Sequence, residues 1–219
     1  MTNPSTSELY DGAAPTWVRT EAVLLSDYTA RPFVLERAGA LEGARVLDLG
    51  CGEGYVSRQL AKRAPARLLS VDISSGMIEL ARAAEEAAPL GIDYRVASAT
   101  ELELEEEFDL VLAVFLFNYL SCDEMSAVLK KVHDHLAPGG RFLFTAPHPA
   151  SSTSRHDAPI ASGISAFGSR PPCLSAASAI GVQSWNSREP GTRIVTTYLV
   201  VDSESSALLA LSSSSSSSS

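Results

Sequence analysis

The chain has 219 residues, 45% of them hydrophobic and 20% charged, which suits one soluble domain with a sizeable core and at most a small appendage. A formal net charge of −9 excludes an overall basic footprint for a phosphate backbone. Three widely spaced cysteines with no CxxC or Cys/His cluster indicate neither a zinc site nor a disulfide framework. The first residues, MTNPSTSELYDG, lack the basic-then-apolar order of a secretory signal, and no apolar run approaches the roughly 20 residues of a bilayer span. A reducing, cytoplasmic setting without membrane partners is expected.

Residues 1–40 mix Trp17, Tyr28 and Phe33 with polar residues and prolines and read as an N-terminal helical cap. From 41 to 149 strands and helices alternate. Arg45 to Leu49 is a short apolar run ending at Gly50, the pattern of a buried strand. Tyr55 to Ala64 reads as the following helix, stopped by Pro65, and Leu68 to Asp72 as the second strand. Ser74 and Ser75 can cap the next helix, whose stripe is Met77, Leu80, Ala81 and Ala84. Ile92 to Ala97 is a third strand and Phe108 to Phe115 a fourth. Ser121-Cys122-Asp123-Glu124 fits a capping box, followed by the buried stripe Met125, Val128, Leu129, Val132 and Leu136. Pro138-Gly139-Gly140 is expected to end that helix before a fifth strand, Arg141 to Ala146. A β-α unit repeated four times with a fifth strand predicts an α/β fold built on a doubly wound, mostly parallel sheet. Ligands bind such sheets at the carboxyl ends of the strands.

Composition changes after the fifth strand. Residues 150–211 are read as an irregular C-terminal segment and candidate substrate lobe, and 212–219 as a low-complexity serine tail. Arg193 to Asp202 is a good strand there, but no helix and no strand to pair with it are evident. The end of the sheet is therefore expected to be incomplete or irregular, truncated or altered, with the fifth strand an exposed edge. The region from Trp185 to Thr192 is assigned to the small lobe. The adjacent basic pairs Lys62-Arg63 and Lys130-Lys131 are expected on solvated helix faces.

The strongest chemical signal is Asp48-Leu49-Gly50-Cys51-Gly52-Glu53-Gly54-Tyr55, a glycine-rich turn between a strand and a helix. Such a turn lets a ligand approach the backbone and offers free N–H groups at the helix start. Nicotinamide and flavin binders use the same device. A dinucleotide fingerprint, however, wants glycine where Tyr55 stands, and a pyrophosphate is repelled by a carboxylate such as Asp48. A sulfonium ligand with an α-amino group gains from that anion. Asp72, ending the second strand, can accept both ribose hydroxyls of either ligand.

Four ordered stretches then carry a resemblance: VLDLGCGEGY (46–55), VDISSGMI (71–78), Phe108-Asp109-Leu110-Val111 and LAPGGRFLF (136–144). Together they resemble class I S-adenosylmethionine (SAM) methyltransferases over residues 41–149. LSDYTARP (25–32) is similar to the lead-in of the bacterial small-molecule members. The resemblance implies a Rossmann-like methyltransferase fold, SAM as cofactor and methyl transfer to a small-molecule acceptor. It places Gly50, Cys51 and Gly52 beneath the methionine part, with Asp48 near its amino group. It further puts Asp72 on the ribose, Ile73 and Met77 on the adenine, and Ser98, Ala99 and Thr100 by the adenine edge. Many relatives have aspartate where Ser98 stands, and an uncharged serine accepts a bond more weakly. Val114 and Phe115 line the methyl-transfer side.

Cys51, inside the glycine turn with no partner histidine, reads as a packing residue rather than a nucleophile. His133 and His135 in the last turn of a helix suit its negative end. His148 follows the fifth strand at the ligand edge, where it can touch the acceptor or take its proton. Tyr28, Asn118 and Tyr119 are further acceptor-side candidates. Asn118 is not followed by the Pro-Pro-Tyr of DNA amino-methyltransferases, which with the acidic charge argues against a nucleic-acid partner. No metal site or catalytic side chain is signalled. The rival readings are a nicotinamide-dependent oxidoreductase and a vestigial module that holds SAM without turning it over.

Overall fold

The computed structural model describes residues 5–17, 30–147, 182–186 and 195–204. Helix α1 (Thr6–Ala13) runs into a 3-10 turn (Ala14–Thr16), and α2 (Ala30–Ala38) precedes the alternating region. There follow β1 (Arg45–Leu49), α3 (Tyr55–Ala61), β2 (Arg67–Asp72), α4 (Ser75–Ala87), β3 (Asp93–Val96) and β4 (Phe108–Val114). After a 3-10 turn (Phe117–Tyr119) come α5 (Cys122–His135), β5 (Leu136–Pro147), β6 (Val182–Asn186) and β7 (Val195–Glu204).

The strands form one sheet in the order β3-β2-β1-β4-β5-β7-β6. The first five run parallel, while β7 pairs antiparallel with β5 and β6 antiparallel with β7. Strand periodicity divides the apolar residues between two faces. Leu47, Leu49, Leu69, Val71, Val111, Phe142 and Phe144 point toward α5, whose Met125, Val128, Leu129 and Val132 complete that core. Val46, Leu68, Leu110, Leu112 and Leu143 face the other way, against Val34 of α2, Leu60 of α3 and Ile78 and Ala81 of α4. Both faces are covered, which is why the strands read as nearly continuous apolar runs. The doubly wound sheet matches the expectation from sequence. Its switch point lies at β1, flanked by β2 on one side and β4 on the other.

Several local expectations are corrected. Helix α3 stops at Ala61, and Ala64 takes a left-handed φ of 53° before Pro65. Helix α5 ends at His135, and Leu136 already pairs with Phe108, so the Pro-Gly-Gly sequence is an irregularity inside β5 rather than a helix stop. The passage from β3 to β4 runs through turns and bends over 97–107, not a helix. In α4 it is Ile78, not Leu80, that joins Met77 and Ala81 in burial. The partner strand missing from the sequence reading is Val182–Asn186, so Trp185 and Asn186 belong to β6, and β7 covers the edge of β5. Arg63 does not sit on a solvated face: its guanidinium donates to the carbonyls of Leu35 and Gly39 at the end of α2. Lys130 is exposed as expected and pairs with Asp134, whereas Lys131 is half-buried and pairs with Glu103. The serine tail and residues 148–181 and 187–194 lie outside the described residues.

Candidate functional site

The glycine turn is pinned to the end of β2. The N–H groups of Gly50 and Cys51 both donate to the Val71 carbonyl, at 2.8 and 3.0 Å. The Gly52 N–H then donates to Asp72 Oδ2 at 2.8 Å. The two motifs that the sequence singled out separately are thus joined by one hydrogen bond. Asp72 Oδ1 accepts from the Ser74 N–H at 2.9 Å, so each carboxylate oxygen is oriented by a backbone donor and keeps a lone pair for a ligand. Burial pushes the Asp72 carboxyl above its ordinary range, and the two N–H bonds oppose that shift.

Gly54 caps α3 in a left-handed conformation (φ 84°), and Tyr94, from β3, fills the space beneath it. A Cβ there would meet the Tyr94 ring, which carries a buried hydroxyl with no partner.

Asp48 is 1% exposed and accepts a 2.6 Å bond from Ser57 Oγ in the first turn of α3. Burial drives its carboxyl up to about 6, and the charge of Asp72 adds to that. Asp48, Gly50, Cys51, Tyr55 and Val114 line one pocket together with Arg31 of α2. The Arg31 guanidinium lies 5.8 Å from the ring centres of both Tyr55 and Phe115. In the sequence Arg31 stands out only as part of the lead-in segment, because nothing local shows that the first turn of α2 reaches the pocket at the end of β1. A carboxylate and a guanidinium in one pocket are complementary to an α-amino-acid head group, ammonium toward Asp48 and carboxylate toward Arg31.

Beyond β4 the backbone turns sharply. Phe115 has φ 62°, uncommon for a bulky residue, and its N–H is held by the Thr145 carbonyl and hydroxyl of β5. Leu116 packs over Gly50. The Asn118 carboxamide oxygen is buried without a hydrogen-bond partner. The Tyr10 hydroxyl of α1 donates to the Tyr119 hydroxyl, and Asp72 and Arg31 both act electrostatically on Tyr10. Helix α1 therefore reaches the same sheet edge, a long-range contact with no local mark in the chain.

The remaining candidates fall as follows. Ile73 is 46% exposed beside Asp72, whereas Met77 is fully buried. Ala97 donates its N–H to the Asp72 carbonyl, bringing the turn Ser98-Ala99-Thr100 to the end of β2, with the Ser98 and Thr100 hydroxyls 2.7 Å apart. Burial holds the Cys51 thiol well above its usual range, in keeping with packing. His133 and His135 lie in the last turn of α5, away from these groups. Tyr28 and His148 lie outside the described residues. Among the described residues no group of histidine, cysteine and acidic side chains could hold a metal ion, and no helix is long and apolar enough to cross a membrane.

Comparison with known proteins agrees with this geometry. Residues 46–140 match the family described as a methyltransferase domain. The chain is 38% identical over 113 residues to a ubiquinone biosynthesis O-methyltransferase of Ruegeria pomeroyi, covering 51% of this chain and 41% of that one. It resembles the crystal structure of an S-adenosylmethionine-dependent methyltransferase from Mesorhizobium loti, with a TM-score of 0.50 and 31% identity over 55% of this chain and 54% of that one. The N-methyltransferase NodS of Bradyrhizobium japonicum shares the fold, with a TM-score of 0.61 at 16% identity over 90% of this chain and 98% of that one. The chain spans only 35% to 54% of the length of the first curated relatives it matches. With the sheet order, the glycine turn and the acidic strand end all in place, residues 46–140 match the methyltransferase-domain family and carry the class I SAM-dependent methyltransferase fold.

Proposed function

We propose that the chain is a SAM-dependent methyltransferase acting on a small-molecule acceptor. The observation that carries this reading is the pairing of the Asp48–Arg31 pocket with the Gly52–Asp72 junction beside it. The pocket suits the amino-acid end of SAM and the junction suits its ribose. Bound SAM supplies an activated methyl group, leaving the protein to bind, orient and exclude water.

In this reading Asp48 faces the ammonium and Arg31 the carboxylate, while Gly50, Cys51 and Gly52 run beneath the chain between them. Asp72 accepts from the ribose. Ile73 and Met77 belong to the adenine side, with Ser98, Ala99 and Thr100 at its edge. Val114 and Phe115 face the methyl group. Asn118 and Tyr119, with Tyr28 and His148, are assigned to the acceptor. The strained backbone at Phe115 supports a site there, since such strain gathers where function over-determines the chain. A net charge of −9 and the name of the Ruegeria relative support a small molecule over nucleic acid. A cytoplasmic setting completes the reading.

Calorimetry tests it directly. SAM or S-adenosylhomocysteine should bind and NAD should bind far more weakly; tighter binding of NAD overturns the class. Asp72→Ala should weaken SAM by about 1.5–3 kcal/mol, the range for hydrogen bonds to a charged group. A folded Asp72→Ala protein with unchanged affinity would remove Asp72 from the site.

A further inference from the structure

We infer that Asp11, on a helix outside the matched domain, is a positioning residue that orients Asp72 through the cap of α4. The inference rests on the reading of Asp72 as the ribose ligand. Asp11 Oδ1 accepts from Ser74 Oγ at 2.6 Å and from the Gly76 N–H at 3.0 Å. Ser74 Oγ at the same time accepts from the Met77 N–H at 3.1 Å, and the Ser74 N–H donates to Asp72 Oδ1. Asp72 Oδ2 is held by Gly52. An unbroken relay therefore runs from Asp11 through Ser74 and Asp72 to the glycine turn.

Ser74 alone meets the ordinary need of a helix start, since its hydroxyl already satisfies one free N–H. Asp11 adds a second acceptor from another helix, at the end of α4 where an anion is favoured. The Ser74 bond, with that from Gly76, holds the Asp11 carboxyl below its usual range, as expected of a charged acceptor. The approach is close: a Cβ on Gly76 would lie 2.9 Å from the Cβ of Ala14. Helix α1 and its 3-10 turn thus rest directly on the first turn of α4. Fixing residues 74–76 fixes the N–H that aims one oxygen of Asp72, so the rotamer presented to a ribose depends on α1.

The measurement is calorimetry on the full chain with two probes, S-adenosylhomocysteine and its 2′,3′-dideoxyribose analogue. Asp11→Ala should weaken S-adenosylhomocysteine about tenfold, the scale of one lost hydrogen bond. It should leave the analogue's weaker binding unchanged, because the analogue has no hydroxyls for Asp72 to receive. Asp11→Asn keeps the accepting oxygen and should retain most of the affinity. Equal weakening of both probes would mean that α1 acts on the whole fold rather than on Asp72, and would overturn the inference. So would an Asp11→Ala protein that binds S-adenosylhomocysteine as the parent does. Failure of the parent chain to bind S-adenosylhomocysteine at all would instead overturn the underlying reading.

Discussion

Asp48→Asn is expected to make the ligand-free protein more stable at neutral pH while weakening its hold on SAM. Asp48 is fully buried, and burial lifts its carboxyl from an ordinary value of 3.8 to about 6. Between those values the folded state binds the proton that the unfolded state has released, so stability falls as pH rises through this window. Below about pH 4 the group is protonated in both states and costs nothing. Above about pH 6 the buried charge is fully present. Two units correspond to about 3 kcal/mol at most. Asparagine keeps an oxygen for the Ser57 hydroxyl, which lies 2.6 Å from the carboxylate, so that bond survives the change. Asp11, Asp93 and Glu103 have lowered values and pull stability the other way with pH. The difference between variant and parent isolates Asp48 from them. Denaturant melts at pH 4, 6 and 7.5 should show a gap that opens with rising pH. The ammonium of SAM favours the ionised carboxylate, so parent affinity should fall below about pH 6, by at most about tenfold per unit. The asparagine variant should bind weakly and keep only the part of that dependence contributed by Asp72, whose carboxyl is also raised by burial. A variant neither stabilised at pH 7.5 nor impaired in binding would show that Asp48 carries no charge in the working protein.

The site was legible where its parts are local in the chain. Asp48, the glycine turn and Asp72 sit at the ends of β1 and β2, and strand periodicity, a glycine-rich turn and a helix cap each announce such an end within a few residues. Their meeting through Gly52 and Asp72 follows from parallel neighbours in the sheet. Arg31, Tyr10 and Asp11 carry no such mark. Arg31 and Tyr10 reach the sheet edge, and Asp11 the cap of α4 beside it, from helices whose contacts there are long-range, and a single arginine or aspartate on a helix looks the same whether it faces water or a pocket. β6 escaped for another reason. VQSWN is five residues long with a weak alternation, set in a stretch rich in serine, alanine and glycine, and only pairing with β7 makes it a strand. The α5 boundary was displaced because Pro-Gly-Gly usually stops a helix, whereas here it follows an irregular pairing of Leu136 with Phe108.

Glycines 52 and 54 should separate fold from ligand binding. Both have left-handed φ, 56° and 84°, so alanine at either position costs about 1–2 kcal/mol of backbone strain. Their surroundings differ. At Gly52 a Cβ meets nothing within 4 Å, and the open space is where the proposed ligand lies. At Gly54 a Cβ would lie 2.4 Å from Tyr94 Oη and 2.9 Å from its ring. The ring is 4% exposed and cannot swing away without opening the core on the α3 and α4 side. Gly54→Ala should therefore cost about 3 kcal/mol or more, strain and overpacking together. Tyr94→Phe removes the nearest atom, and because that hydroxyl has no partner the change alone should be neutral or mildly stabilising. The double variant should recover about 1 kcal/mol relative to Gly54→Ala, a coupling that denaturant melts on all four proteins can measure. Gly52→Ala should lose only the about 1–2 kcal/mol of strain, less than Gly54→Ala, but at least about tenfold in SAM affinity, because its methyl group enters the ligand's space. Equal stability losses at the two positions, or intact SAM binding by Gly52→Ala, would show that the turn is built for packing alone and that the ligand lies elsewhere.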